Sequence, residues 1–318
     1  MDATSLVPTV DLSNPSDNEL AAVDRACSDH GFFLLTGHGA DDLIERAWRQ
    51  ADAFFRSDRA ERLAVQRDLD NPLGWFDREL TKRRRDHKQV FDFVDPSAPA
   101  ADAFNRWPDA DHFPEFRSTL VEYYDAFSDL AARTVALVHA ALGLTAEVAD
   151  RHTGDRTNSS VRLNQYPVGD PVPADERAEL RELGETALGW HTDPGVLTLL
   201  VQDDTGGLEA RTRSGEWIPV PPQPGTIVVN LADAMQVWTN DRYRAAVHRV
   251  TTMTERDRMS IPYFFNPSRT AEIEPIAELG VDPRYRSFVW RDFMRARTDD
   301  NFSDLGADDA QISDYALT

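Results

Sequence analysis

His191-Thr192-Asp193 sets an imidazole and a carboxylate two residues apart. In extended chain, residues i and i+2 point to the same face, so one short segment would present two metal ligands of different type. His248 lies in a second β-rich run, 245–252, flanked by Val247 and Val250. Two histidines and one carboxylate form a facial set that leaves the remaining positions of an octahedral metal open, which suits non-haem Fe(II). Taken alone, His-x-Asp also describes an ordinary surface pair. Arg258-Met259-Ser260, ten residues beyond His248 and just after the charged turn Glu255-Arg256-Asp257, gives it weight. Arg258 and Ser260 would share one strand face, and a guanidinium with an adjacent hydroxyl clamps a carboxylate through charge-assisted hydrogen bonds. The neighbours Ile261, Tyr263 and Phe264 predict a buried stem, and a buried guanidinium needs an anion. His30, His38, His87, His112, His139 and His152 lack such a context and read as structural or surface residues.

These residues must be carried by strands. After residue 155, short β-rich runs alternate with turns: 160–166, 196–202, 208–212, 217–220, 226–230, 245–252 and 259–265. Gly206-Gly207, Ser214-Gly215 and the run from Pro221 to Gly225 punctuate them, a spacing that predicts a sandwich, barrel or jelly roll. The first half reads as mainly helical. Ser16 with Glu19 forms a capping box before Leu20, Val23 and Cys27. A short buried strand covers 31–35, a helix 41–55, and the strongest apolar stripe runs from about 114 to 142, ended by Gly143. Residues 285–297 predict a terminal helix, and the acidic stretch 299–318 a loosely held end. With no Gly/Ser linker or repeat, 1–318 reads as a single α+β domain: a helical N-terminal part over 1–155, a strand-rich core with the site over 156–267, and a tail over 268–318.

Hydrophobic residues make up 41% of the chain, enough for a sizeable core. There are 34 basic and 55 acidic residues, a net charge of −21. Such a surface repels phosphate backbones and anionic lipid, which argues against nucleic-acid and membrane partners. The start, Met1-Asp2-Ala3-Thr4, carries no basic or apolar leader pattern, and Cys27 is the lone cysteine, so a cytoplasmic setting is expected. Oligomeric state is not legible in these features.

At this point a resemblance is plain and runs nearly end to end. The chain resembles the isopenicillin N synthase-like branch of the Fe(II)/2-oxoglutarate-dependent dioxygenases. The motifs, in order, are Val7-Pro8-Thr9-Val10-Asp11-Leu12, His30-Gly31-Phe32-Phe33, Gly37-His38-Gly39, Asp86-His87-Lys88-Gln89-Val90-Phe91 and Asn164-Gln165-Tyr166-Pro167. His191-Thr192-Asp193, Gly207-Leu208-Glu209, Gly215-Glu216-Trp217, Asn230-Leu231-Ala232-Asp233, His248-Arg249-Val250 and Arg258-Met259-Ser260 follow. Gln89 and Gln165 depart from the family's usual Glu and Tyr. The resemblance implies a double-stranded β-helix, or jelly roll, with N-terminal and packing helices. It implies His191, Asp193 and His248 as Fe(II) ligands, and Arg258, Ser260, Tyr166 and Asn164 around 2-oxoglutarate. Phe264 and Arg162 match positions that face the primary substrate.

The implied activity is that of a non-haem Fe(II) 2-oxoglutarate-dependent dioxygenase. It would use O2 to hydroxylate, desaturate or cyclise a small-molecule substrate through an Fe(IV)-oxo intermediate, releasing succinate and CO2, as in specialised metabolism. The intact carboxylate of Asp193 argues against halogenation. The alternative is a 2-oxoglutarate-independent Fe(II) oxidase or cyclase of the isopenicillin N synthase or aminocyclopropane-carboxylate oxidase type. Two softer signals remain. Lys82-Arg83-Arg84-Arg85 reads as a solvated loop balancing nearby acids, or as an entrance patch for an anion. The insertion 168–189, with a helix-like core over 174–184, reads as a lid or as a plain surface segment.

Overall fold

Two facing sheets carry the chain in a computed structural model that describes residues 7–298 and 310–317. The larger sheet runs β1 (Thr9–Asp11), β2 (Phe32–Thr36), β12 (Ile227–Leu231), β9 (Leu197–Gln202), β14 (Arg258–Phe265), β7 (Ser160–Tyr166), β6 (Gln89–Val94), β3 (Gly74–Phe76). Its pairings are antiparallel except for β1 with β2. The smaller sheet runs β11 (Trp217–Pro219), β10 (Leu208–Arg211), β13 (His248–Val250), β8 (Leu188–His191). A separate hairpin joins β4 (Leu80–Thr81) to β5 (Arg84–Arg85). The helices are α1 (Asp17–Asp29), α2 (Asp41–Arg56), α3 (Arg59–Ala64), α4 (Pro99–Asp102), α5 (Phe116–Ala141), α6 (Ala146–Arg151), α7 (Asp233–Trp238) and α8 (Trp290–Thr298). The result is an α+β jelly roll that does not close into a barrel.

Side-chain alternation assigns the two faces of the large sheet. Phe33, Leu35, Leu197, Leu199, Ile261, Tyr263 and Phe265 point back into a core shared with the helices. There α5 lays its stripe of Phe116, Leu120, Tyr123 and Phe127, and Tyr123 Oη donates to the Ile261 carbonyl at 3.0 Å. The opposite face, with Phe32, Leu34, Leu200 and Val228, meets Leu208, Ala210, Ile218 and Val250 of the small sheet. Both faces are therefore covered, which explains why the central strands read as continuous apolar runs. Polar residues of the inner face, among them Thr198, Asn230, Asn164, Ser260 and Arg258, line the space between the two sheets where the site lies. The capping box at Ser16 forms as expected, and Glu19 also accepts from the Asp11 amide at 2.9 Å, tying α1 to β1.

Several expectations are revised. The N-terminal part supplies four strands of the large sheet, β1, β2, β3 and β6, besides its helices. The segment 168–189 holds a single 3-10 turn at Ala174–Glu176 in place of a helix-like core. The terminal helix starts at Trp290, because Phe288–Val289 is first used as a strand. Of the end thought to be loosely held, 299–309 and 318 lie outside the described residues, while Ile312 and Tyr315 pack against the core. No described helix is long and apolar enough to cross a membrane.

Candidate functional site

His191 belongs to its own strand, β8, and does not open the strand that follows it. The antiparallel register of β13 with β8 sets His248 directly opposite His191. Their rings lie 4.3 Å apart, centroid to centroid. Asp193 follows in the connection to β9, and one ligand atom from each of the three residues lies within 4.8 Å of the others. Each histidine hydrogen-bonds its own strand: His191 Nδ1 to the Gly189 carbonyl at 2.9 Å, and His248 Nδ1 to the Ala246 carbonyl at 2.8 Å. Those bonds put the proton on Nδ1 and leave the Nε2 lone pairs free to ligate. Both Nε2 atoms face Asp193 Oδ1, at 3.6 and 3.9 Å. The other oxygen, Oδ2, is fixed by Thr198 Oγ1 at 2.5 Å and Asn230 Nδ2 at 2.8 Å. One carboxylate oxygen is thus anchored and the other presented.

Burial alone would raise the Asp193 carboxyl, but His191, His248 and Thr198 hold it well below the usual carboxylate range. Burial, reinforced by the neighbouring His191, pushes His248 down to about 4, so its ring is neutral and ready to ligate at neutral pH. Asp233, at the start of α7, moves the other way. Burial raises it to about 6, although Arg297 opposes the shift. Arg297 of α8 also donates to both the carbonyl and Oγ1 of Thr192 at 3.1 Å, pinning the residue between two of the ligands.

The inner face of β14 carries Arg258 and Ser260 toward the triad, as their spacing requires. Register sets Arg258 opposite Tyr166 and Ser260 opposite Asn164, whose Nδ2 donates to Ser260 Oγ at 3.3 Å. Arg258 is 1% exposed. Its Nη2 reaches Gln202 Oε1 at 3.3 Å, while Nε and Nη1 have no hydrogen-bond partner among the described residues. The Tyr166 ring lies 5.0 Å from the guanidinium carbon. Burial lowers Arg258 below the ordinary guanidinium value. A buried cation with two idle donors and no ion-pair partner among the described residues is the signature of a site built for an anion.

Two cavities meet at the triad. The inner one, about 70 Å³, lies between the ligands and Arg258, with Leu200, Leu208 and Val250 as apolar walls. The outer one, about 520 Å³, opens past Trp190 and the β4–β5 hairpin. Phe264 and Arg162 line both. Arg162 is already saturated: it bonds Glu79 at 2.9 and 3.0 Å and Asp92 at 2.6 and 2.9 Å. Lys88 joins Glu79 to Asp86 at 3.0 and 3.2 Å, and Arg67 adds a further pair to Glu79 at 2.8 Å. Three acids and three bases close a neutral wall, a network the sequence did not disclose because its members come from β6, β7 and the loops around β3–β5.

The basic run 82–85 docks the insertion. Arg85 grips Asp170 through two bonds of 2.7 Å, and Arg84 pairs with Glu182. Lys82 and Arg83 turn the hairpin with positive φ, a conformation in which Asn and Gly are the usual occupants.

The donor set fits iron, since two imidazoles and one carboxylate face a common point with room beside them. The idle donors of Arg258 fit a diacid. Comparison with known proteins agrees. Residues 157–267 match the 2OG-Fe(II) oxygenase superfamily, and residues 7–110 match the N-terminal region described as "non-haem dioxygenase in morphine synthesis". Homoarginine-6-hydroxylase 2-ODD-233 of Oryza sativa is 30% identical, the match covering 95% of this chain and 96% of the relative. The dioxygenase for auxin oxidation in rice is 27% identical with a TM-score of 0.74, covering 98% of this chain and 100% of that one. A Neurospora crassa protein solved in complex with alpha-KG and 5-formyluracil is 25% identical with a TM-score of 0.75, covering 89% of this chain and 92% of that one.

Proposed function

The chain belongs to the 2OG-Fe(II) oxygenase superfamily as a non-haem Fe(II)- and 2-oxoglutarate-dependent dioxygenase, and from that premise we propose the residue roles and the working of its site. His191, Asp193 and His248 hold the ferrous ion. Arg258, Ser260, Tyr166 and Asn164 hold 2-oxoglutarate in the inner cavity, and the outer cavity admits a small-molecule substrate. When bound, iron with 2-oxoglutarate supplies reductive activation of O2, coupled to loss of CO2 and succinate and to oxidation of a substrate C–H bond.

The protein's part is geometric and electrostatic. The Nδ1–H bonds to Gly189 and Ala246 keep both imidazoles in the ligating tautomer. Thr198 and Asn230 hold one Asp193 oxygen so that the other stays presented. Arg258 offers two free donors to the distal carboxylate, and Asn164 fixes the Ser260 hydroxyl beside it. Leu200, Leu208 and Val250 keep the passage between that carboxylate and the metal dry. Arg162, closed on Glu79 and Asp92, shapes the wall of the outer cavity, and Phe264 presents an apolar face to the substrate. The lone thiol, Cys27, is buried and free, which supports a cytoplasmic setting.

The observation that carries this reading is the buried, anion-seeking Arg258 placed across a small cavity from an unblocked His-Asp-His set. The test is incubation of the purified enzyme with Fe(II), ascorbate, 2-oxoglutarate and a metabolite extract. Succinate should form together with a product that has gained one oxygen or lost two hydrogens. Oxygen uptake without succinate would instead mark the 2-oxoglutarate-independent chemistry.

A further inference from the structure

Arg244 lies on the segment between α7 and β13, four residues before His248, and lines the outer cavity. Its backbone is fixed on every side. The Arg244 amide donates to the Cys27 carbonyl at 3.0 Å, that of Ala245 to Gln236 Oε1 at 2.8 Å, and that of Ala246 to the Leu231 carbonyl at 2.9 Å. Its side chain, by contrast, has no hydrogen bond, ion pair or ring contact among the described residues. Arg25, Arg49, Arg133, Arg213 and Arg269 share that lack, but all of those are exposed, whereas Arg244 is half-buried. In a chain of 55 acidic against 34 basic residues, an unmatched guanidinium inside a cavity runs against the prevailing balance.

The other charges of this cavity are matched. Glu79, Asp86 and Asp92 close on Arg67, Lys88 and Arg162, Asp233 faces Arg297, and Lys82 sits over the Trp190 ring at the mouth. Arg244 is the charge left over. We infer that Arg244 seats a carboxylate of the primary substrate, so that the enzyme oxidises a small organic acid held between Arg244 and the triad. This rests on the proposed function and names its substrate class. A single guanidinium fork matches the two oxygens and single charge of a carboxylate. A phosphate dianion calls for more than one cationic partner, and the other cations of this wall are engaged with Glu79, Asp92, Asp233 and the Trp190 ring.

The test is direct binding to the enzyme loaded with Fe(II) and saturating 2-oxoglutarate under anaerobic conditions, so that the Arg258 site is filled. The probes are phenylacetate and octanoate, their amides, and phenyl phosphate, read by tryptophan fluorescence and by saturation-transfer NMR. At least one acid should bind about tenfold or more tighter than its amide, the ratio expected for a charge-assisted pair. Arg244→Gln should abolish that preference and Arg244→Lys retain part of it, with 2-oxoglutarate affinity unchanged in both. Amides binding as tightly as acids, no measurable binding of either acid, a preference that survives Arg244→Gln, or tighter binding of phenyl phosphate than of phenylacetate would each overturn the inference. Failure of the parent enzyme to bind 2-oxoglutarate would instead overturn the functional reading on which it rests.

Discussion

Arg258 concentrates the physical argument at the scale of the residue. Its guanidinium is buried with two donors idle, an arrangement that costs stability until an anion arrives. Arg258→Met should therefore leave the unfolding free energy of the metal-free protein unchanged or higher, to within about 1 kcal/mol, while weakening 2-oxoglutarate binding by about 2–5 kcal/mol, roughly thirtyfold or more. Denaturant unfolding and calorimetric titration measure the two effects, and a large loss of stability would show the guanidinium to be a structural member. His248 gives a pH-dependent counterpart. Its folded value of about 4 lies below that of a free imidazole, so the neutral ring's contribution to stability is complete above about pH 6.5 and is lost as pH falls toward 4. Asp233 has the opposite sign, its contribution being greatest in acid and lost as pH rises through about 6. A residue-resolved measurement is needed to separate them: NMR of the metal-free protein should show the His248 ring titrating near 4, and a midpoint near 6.5 would refute the burial argument. The triad and the arginine-serine pair were legible from sequence because few residue types can do their work. Arg162 shows the limit, since its partners Glu79, between β3 and β4, and Asp92, on β6, are remote in sequence and nothing local announces the ion pairs that engage it.

Strands set the positions of these groups, and one decisive strand was hidden. Leu188-Gly189-Trp190-His191 is short and contains a glycine, so neither alternation nor propensity marks it, yet its register with β13 is what brings His191 opposite His248. The long apolar stripe of α5 and the capping box of α1 were legible because local sequence dictates both. The insertion 168–189 was not, because it is held by long-range ion pairs. Arg85 and the Asp170 side chain are both largely buried, and breaking such a pair exposes an uncompensated charge. Arg85→Gln should release this segment, raising hydrogen exchange across 168–189 by tenfold or more while β7, β9 and β14 keep their protection. Unchanged exchange there would show that the segment is anchored by its other contacts, such as Glu176 with Arg59.

Across the whole molecule, a large sheet with helices behind it and a small sheet in front enclose the space that holds the triad, Asn164, Ser260 and Arg258. In the proposed reading the two cavities divide the labour: a narrow inner chamber lined by Arg258 for the diacid, and a wider outer one for the substrate, with His191 and Asp193 lining both. The net charge of −21 keeps the outer surface repellent to anions, so the cations that matter are inside. The central claim is that one metal at this junction is shared by the triad and by a diacid anchored on Arg258. Its most direct test is anaerobic titration of the Fe(II)-loaded protein with 2-oxoglutarate, followed by the visible charge-transfer absorption of a 2-oxo acid chelated to ferrous ion. The absorption should saturate at one 2-oxoglutarate per chain and be lost in His248→Ala. No absorption in the parent protein, or an undiminished one in His248→Ala, would contradict the account.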